Sequence, residues 1–205
     1  MSGYSDVKAV TITADTVALD ADGISVAASV GNNAALTIGG ALASGGAVAL
    51  SHGRIVTILS AGNDSGKSFT VVGTDINGAA QTESITGANA GTATGAVFFL
   101  SIASITAVGN PAGNVSAGVN ASAADVIFSG RSRLKGIYLT STATAGTVDF
   151  LNTSPSGTSI MGLSSVGDAD ATRDVVIPEE GVLFTDGIFI EYTVSTFLTM
   201  TVFHA

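Results

Sequence analysis

The chain has no cysteine, no tryptophan, only three prolines and only two histidines among its 205 residues. Without cysteine there is no disulfide framework and no thiolate metal site, so stability must come from packing. Two histidines leave little for general-base or zinc chemistry. These absences argue against an enzyme that uses histidine or zinc chemistry and against a disulfide-stabilised domain.

Charge is also scarce. Asp, Glu, Lys and Arg make up 11% of the residues, against about 25% in an ordinary soluble domain. Small and β-branched residues fill the remainder, a composition that suits β surfaces pressed against other protein. We therefore expect a homo-oligomeric subunit of an assembly. A net charge of −9 argues against nucleic-acid binding, which depends on clustered cations.

Long hydrophobic runs are missing as well. The N-terminus lacks the apolar core of a signal peptide, and the most apolar run, residues 96–108, is too short and too hydroxylated to span a bilayer. The expectation is a protein made in a cytoplasm, with no membrane partner and no cofactor.

Strand signals dominate the chain, because short β-prone runs alternate with turn clusters and no long stretch keeps a 3.6-residue apolar period. Asn77-Gly78 between two such runs predicts a hairpin. We predict an all-β protein with hairpin meanders and β-sandwich or jelly-roll-like modules. A small-residue-rich β segment covers 1–50, a first module 51–125 and a second 126–205, with a polar connector over 114–125.

One stretch has the form of a nucleotide-binding loop: read from Ala61, AGNDSGKS is a loose P-loop with Ala at the first glycine position. A P-loop requires a helix after its Lys-Ser, whereas the residues after Lys67 alternate as a strand. Asp64 would also place a negative charge beside any phosphate. The stretch is therefore interpreted as a β-turn loop.

The remaining polar residues have structural alternatives. His52 and His204 are expected at the surface. Asp168, Asp170 and Asp174 could offer oxygen ligands to Ca²⁺, but the EF-hand glycine and distal glutamate are missing and Arg173 competes, so a solvated loop is favoured. Glu179-Glu180 is expected to form an acidic turn that could also dock on a basic neighbour.

Arg131, Arg133 and Lys135 are the candidate interaction site. They are three of only seven cations and recur at period two, which places them on one face of a strand. Two interpretations stay open: a charged strand edge that blocks unwanted pairing, or an electrostatic contact with acidic loops of a neighbouring subunit or host lattice. No catalytic, cofactor-binding or metal-binding residues are predicted.

Three stretches resemble β-rich structural proteins of tailed-bacteriophage virions: residues 53–87 (GRIVTILSAGNDSGKSFTVVGTDINGAAQTESITG), 132–152 (SRLKGIYLTSTATAGTVDFLN) and 177–193 (IPEEGVLFTDGIFIEYT). The resemblance implies a non-enzymatic virion component that contacts the major capsid protein or other virion proteins. It also implies a capsid decoration or cement protein, commonly a trimer. A tail, neck or fibre part is the alternative, and a receptor- or carbohydrate-binding module ranks third, since Tyr4, Tyr138 and Tyr192 are the only tyrosines and Trp is absent.

Overall fold

The structure is a computed structural model that describes residues 6–205. About two thirds of these residues lie in strands, and none lies in a helix. The predicted all-β class is confirmed. Within the described residues there is accordingly no helix with the length and hydropathy needed to cross a membrane.

In residues 6–205, fifteen strands form two sheets of antiparallel strands, one of five strands and one of ten. They are β1 (Lys8–Thr13), β2 (Asp20–Ala28), β3 (Ala43–Ser44), β4 (Ala47–Asn63), β5 (Ser68–Thr74), β6 (Ala80–Thr86), β7 (Asn89–Val108), β8 (Val115–Ser129), β9 (Ser132–Ser141), β10 (Ala145–Asn152), β11 (Thr158–Val166), β12 (Thr172–Val176), β13 (Val182–Phe184), β14 (Gly187–Thr193) and β15 (Phe197–His204).

The chain divides into two compact units. One comprises Ala18–Ala123, and the other combines residues 6–17 with Ala124–Ala205. This division differs from the one expected from the sequence. Residues 6–17 join the C-terminal part because β1 pairs with β15. Residues 18–50 join 51–123 because β2 pairs with β8. The connector predicted over 114–125 is wrong, since that segment is most of strand β8.

In the unit Ala18–Ala123 the strands follow the order β8-β4-β7-β5-β6. The predicted β5–β6 hairpin is confirmed, with register from Ser68 opposite Thr86 to Thr74 opposite Ala80. Its turn is longer than a two-residue Asn-Gly turn: Gly78 N–H donates to the Asp75 carbonyl, and Asp75 N–H to the Ala79 carbonyl. Gly78 takes the positive φ of +82° that the turn requires.

Residues 18–50 help to close the core of the same unit. Ile24, Leu36 and Val48 are buried with Phe69, Phe99 and other residues of the central strands. The β-prone run at residues 34–38 forms no full strand. Only Ala35 forms a bridge, to Thr106, and the Leu36 N–H donates to the Ile105 carbonyl. Residues 34–38 therefore cover the sheet without adding a full strand to it.

In the other unit, five strands form a sheet of order β1-β15-β9-β12 with β13 also on β9, and β11, β10 and β14 follow one another in the larger sheet. Side chains of the two sheets meet within this unit. The rings of Tyr192 and Phe197 lie 4.9 Å apart, and the hydroxyl oxygens of Ser165 and Ser141 lie within hydrogen-bond distance at 3.1 Å. The unit is therefore built as a β-sandwich.

Candidate functional site

The loop that resembles a P-loop connects two strands. β4 ends at Asn63 and β5 begins at Ser68, so a strand follows Lys67. Asp64 is fully buried, and its Oδ1 accepts a hydrogen bond from the Ala112 N–H at 2.8 Å. The Lys67 N–H donates to the Asp64 carbonyl at 2.8 Å. The turn interpretation is confirmed: Asp64 holds the loop against the neighbouring turn.

The candidate cationic site lies at the start of β9. Arg131 precedes the strand and is exposed, whereas Arg133 and Lys135 lie within it and are half-buried. β9 pairs with β15 on one side and with β12 and β13 on the other. The interpretation of this strand as a charged edge is therefore wrong, because β9 is an interior strand.

Arg133 and Lys135 both contact the acidic turn at Glu179-Glu180. Arg133 Nε lies 3.9 Å from Glu180 Oε2, and its Nη1 donates to the Gly181 carbonyl at 3.3 Å. Lys135 Nζ donates to the Glu179 carbonyl at 3.1 Å. The carboxylate of Glu180 is 83% exposed, so this ion pair is worth at most about 1 kcal/mol. The acidic neighbour expected from another subunit is thus matched here by a turn of the same chain.

Arg131 lines a cavity of about 400 Å³ in the same unit, together with Asp6, Lys8, Phe128, Ser132 and His204. His204 is only 3% exposed, so its expected surface position is wrong. β15 places Met200, Val202 and His204 on one face, and all three are buried. That alternation was visible in the sequence and could have located His204 in the interior.

Ser132 and His204 form a buried hydrogen-bonded pair beside this cavity. Ser132 Oγ lies 3.0 Å from His204 Nδ1 and 3.1 Å from the Ala205 carbonyl oxygen. A carbonyl oxygen only accepts, so the single hydroxyl proton of Ser132 is donated to Ala205. His204 must then donate through Nδ1–H to Ser132 Oγ.

This proton arrangement opposes a role for Ser132 as a nucleophile. A catalytic base has to accept the serine proton, and Nδ1 of His204 carries a proton of its own. Burial, with the positive charge of Lys8, lowers the pKa of His204 below its ordinary value. The imidazole is neutral at pH 7 and joins β15 to β9 as a structural group.

The other predicted polar residues stay apart. Asp168, Asp170 and Asp174 are exposed, and in residues 6–205 no three His, Asp or Glu side chains gather closely enough to hold a metal ion. Cation binding by this loop stays a hypothesis. His52 lies half-buried in β4.

The buried, hydrogen-bonded positions of two polar side chains were not predicted from the sequence. Arg54 is fully buried, and its guanidinium donates through Nε to the Ser122 carbonyl at 3.1 Å and through Nη2 to the Asn120 carbonyl. The Tyr192 hydroxyl accepts from the Asp15 N–H at 3.1 Å and donates to Asp125 Oδ2 at 3.0 Å. Both depend on strand pairings distant in sequence, so no local pattern indicates them.

Burial, and next the Asp125 carboxylate, raise the pKa of Tyr192 well above its usual value. The phenol therefore stays protonated and keeps its hydrogen bond to Asp125 throughout the physiological range. Its role in this geometry is to fix residue 15 to the core of its unit.

Comparison with known proteins adds no identification: no protein-family model, no curated protein and no solved structure matches this chain.

Proposed function

We propose that this chain is a non-enzymatic structural protein of a tailed-bacteriophage virion, made in the host cytoplasm. Its role is that of a capsid decoration or cement protein, a homo-oligomer that binds the major capsid protein or other virion proteins and stabilises the head. The observation that carries the proposal is a charge-poor surface on which large apolar residues lie exposed.

That surface is present on both units. Val176 is 78% exposed and Leu19 is 62% exposed, and Val26, Val166, Leu198, Val108, Ile160 and Tyr138 also have substantially exposed side chains. Isolated exposed apolar residues are ordinary, but here only 11% of all residues are charged. A surface of this kind favours contact with other protein over contact with bulk water.

The stretches that resemble phage structural proteins support the same role. Residues 53–87 span most of β4 and the β5–β6 hairpin, residues 132–152 form β9 and β10, and residues 177–193 include β13 and β14. They supply sheet framework and the acidic turn that meets Arg133 and Lys135. The cationic site then offers Arg131, exposed at the cavity, as its outward-facing charge for a lattice contact.

A tail, neck or fibre component is the second candidate, because the same surface suits any repeated protein contact. A receptor- or carbohydrate-binding module ranks third. Tyr192 is buried while Tyr138 is exposed, and Tyr4 lies outside the described residues. Tyr138, the one exposed tyrosine among residues 6–205, is a small aromatic platform for a sugar.

The test is the number of copies of this chain in purified particles, measured by quantitative mass spectrometry against the major capsid protein. A decoration protein should be present in numbers comparable to the major capsid protein, whereas a tail, neck or fibre component should be far rarer. Absence from purified particles would overturn the proposal.

A further inference from the structure

We propose that strand β11 is a self-association edge, which pairs antiparallel with β11 of a second copy of this chain. The inference rests on the homo-oligomer part of the proposed function and not on its virion part. Among the described residues β11 hydrogen-bonds to β10 alone. Along its other side, the strand therefore presents a row of backbone donors and acceptors that another extended chain can match.

The other edges of both sheets carry features that oppose strand addition. Soluble proteins protect exposed edges with charge, short length or bulges. β1 carries Lys8, β6 carries Glu83, β12 carries Arg173 and Asp174, β2 carries Asp20 and Asp22, and β3 and β13 have only two and three residues.

β11 is uncharged, and it is longer than the other edge strands that are protected by short length. Its nine residues, TSIMGLSSV, contain no charge and no proline, and Ile160 and Val166 are 44% and 51% exposed. One bulge leaves Ile160 without a partner on β10, but the ladder from Met161 to Val166 is regular. A regular, uncharged edge with exposed β-branched residues fits another strand better than it fits water.

Charge at the ends of β11 selects the direction of pairing. Asp168 and Asp170 follow the strand, and the uncharged turn Pro155-Ser156-Gly157 precedes it. A parallel pair would place the aspartates of both copies side by side, where like charges repel. An antiparallel pair separates them to opposite ends and sets them near the uncharged turn of the second copy.

The alternation of side chains selects the register. A two-fold axis normal to the sheet keeps each face on its own side, so exposed residues must oppose exposed residues. In β11 the exposed positions beyond the bulge are Gly162, Ser164 and Val166, and Leu163 is buried. An axis at Leu163 places Ile160 opposite Val166 of the second copy, twice, and covers the two exposed apolar side chains of the edge. This closed two-fold contact gives a dimer, whereas the trimer implied by the phage resemblance requires two different edges.

The first test is sedimentation equilibrium of the full chain and two matched variants. Ser164→Lys adds a charge at an exposed position of β11, and Ser84→Lys adds the same charge at an exposed position of the edge strand β6. We expect a dimer for the wild type and for Ser84→Lys, and a dissociation constant raised by at least about tenfold, or a monomer, for Ser164→Lys. Far-UV circular dichroism and a thermal melt check that both variants fold.

A monomeric wild type, a trimer indifferent to Ser164→Lys, or equal effects of the two lysines would overturn the inference. None of these outcomes bears on the virion proposal, which is tested separately by the number of copies in purified particles. The absence of native cysteine permits a second test. In the proposed register two Ser164 side chains lie diagonally, about 7 Å apart, so Ser164→Cys should give a covalent dimer with a short bismaleimide. Cross-linking at Ser84→Cys instead would contradict the pairing.

Discussion

Replacing Tyr192 by phenylalanine tests how the segment around residue 15 is held in its unit. The substitution keeps the buried ring against Phe197 and removes only the hydroxyl, which accepts from the Asp15 N–H and donates to Asp125. The substitution therefore removes these two hydrogen bonds while the packing of the ring is kept.

The expected loss of stability follows from what each partner loses. The Asp15 N–H is buried, and a buried donor deprived of its acceptor costs about 1–3 kcal/mol. Asp125 loses a hydrogen bond to a charged group, worth about 1.5–3 kcal/mol, but its carboxylate is only partly buried and water recovers part of this. We expect the free energy of unfolding to fall by about 2–4 kcal/mol.

The assay is urea unfolding followed by far-UV circular dichroism, because the chain has no tryptophan to report by fluorescence. Tyr138→Phe is the control, since Tyr138 is exposed and its change should stay within about 0.5 kcal/mol. A Tyr192→Phe variant as stable as this control would refute the reasoning.

The pH dependence gives an independent check. Burial and Asp125 raise the pKa of Tyr192 above the 10.0 of an unperturbed tyrosine. The unfolded chain therefore releases this proton first, so the stabilisation is complete below pH 10 and is lost as the pH rises above it. The difference between wild type and Tyr192→Phe should shrink by up to about 1.4 kcal/mol per pH unit above that point. A difference independent of pH would contradict the raised pKa.

Three further predictions concern the other polar groups. Burial and Lys8 lower the pKa of His204 below 6.5, so its contribution is complete above that pH and is lost as the pH falls; the acid branch of a stability profile should flatten in His204→Gln. A combined substitution of Arg131, Arg133 and Lys135 by serine should leave the fold intact and reduce occupancy on particles. Wild-type attachment should also weaken as salt rises from 0.1 M to about 1 M, where the screening length falls from about 10 Å to about 3 Å; an attachment indifferent to salt and to the substitution would exclude this contact. Lys67→Ala should leave the thermal melt unchanged with or without ATP, and an ATP-dependent shift lost in this variant would revive the nucleotide-binding interpretation.

Local alternation predicted the hairpin strands well. β5 and β6 form the hairpin expected from the sequence, because each strand is short, alternates in burial and is closed by the turn that contains Asn77-Gly78. The part of β8 up to residue 125 was missed for a physical reason. Its small residues resemble a loop, yet Ala117, Val119 and Ala123 are fully buried, and a Cβ at Gly118 would lie 1.8 Å from the Asp20 carbonyl oxygen. Close approach of β2 requires the small residues that made this stretch read as a connector.

The candidate site was only half predictable. Periodicity located Arg133 and Lys135 on one strand, but their contacts with Glu179, Glu180 and Gly181 depend on the pairing of β13 with β9. Whether β9 lies at an edge or in the interior is likewise set by β15 and β12. Pairings of this range leave no trace in a local pattern.

The pairing of β1 with β15 sets an order of events during synthesis. Among the described strands, Lys8–Thr13 leaves the ribosome first, and its partner Thr199–His204 emerges after β2 to β14. The strands that build Ala18–Ala123 contain their partners within a much shorter span, and nearby pairings form faster than distant ones. Residues 18–123 can therefore fold first, and β1 remains unpaired until β15 has been synthesised. A nascent chain stalled after residue 123 should already protect the β5–β6 hairpin from hydrogen exchange and leave β1 unprotected.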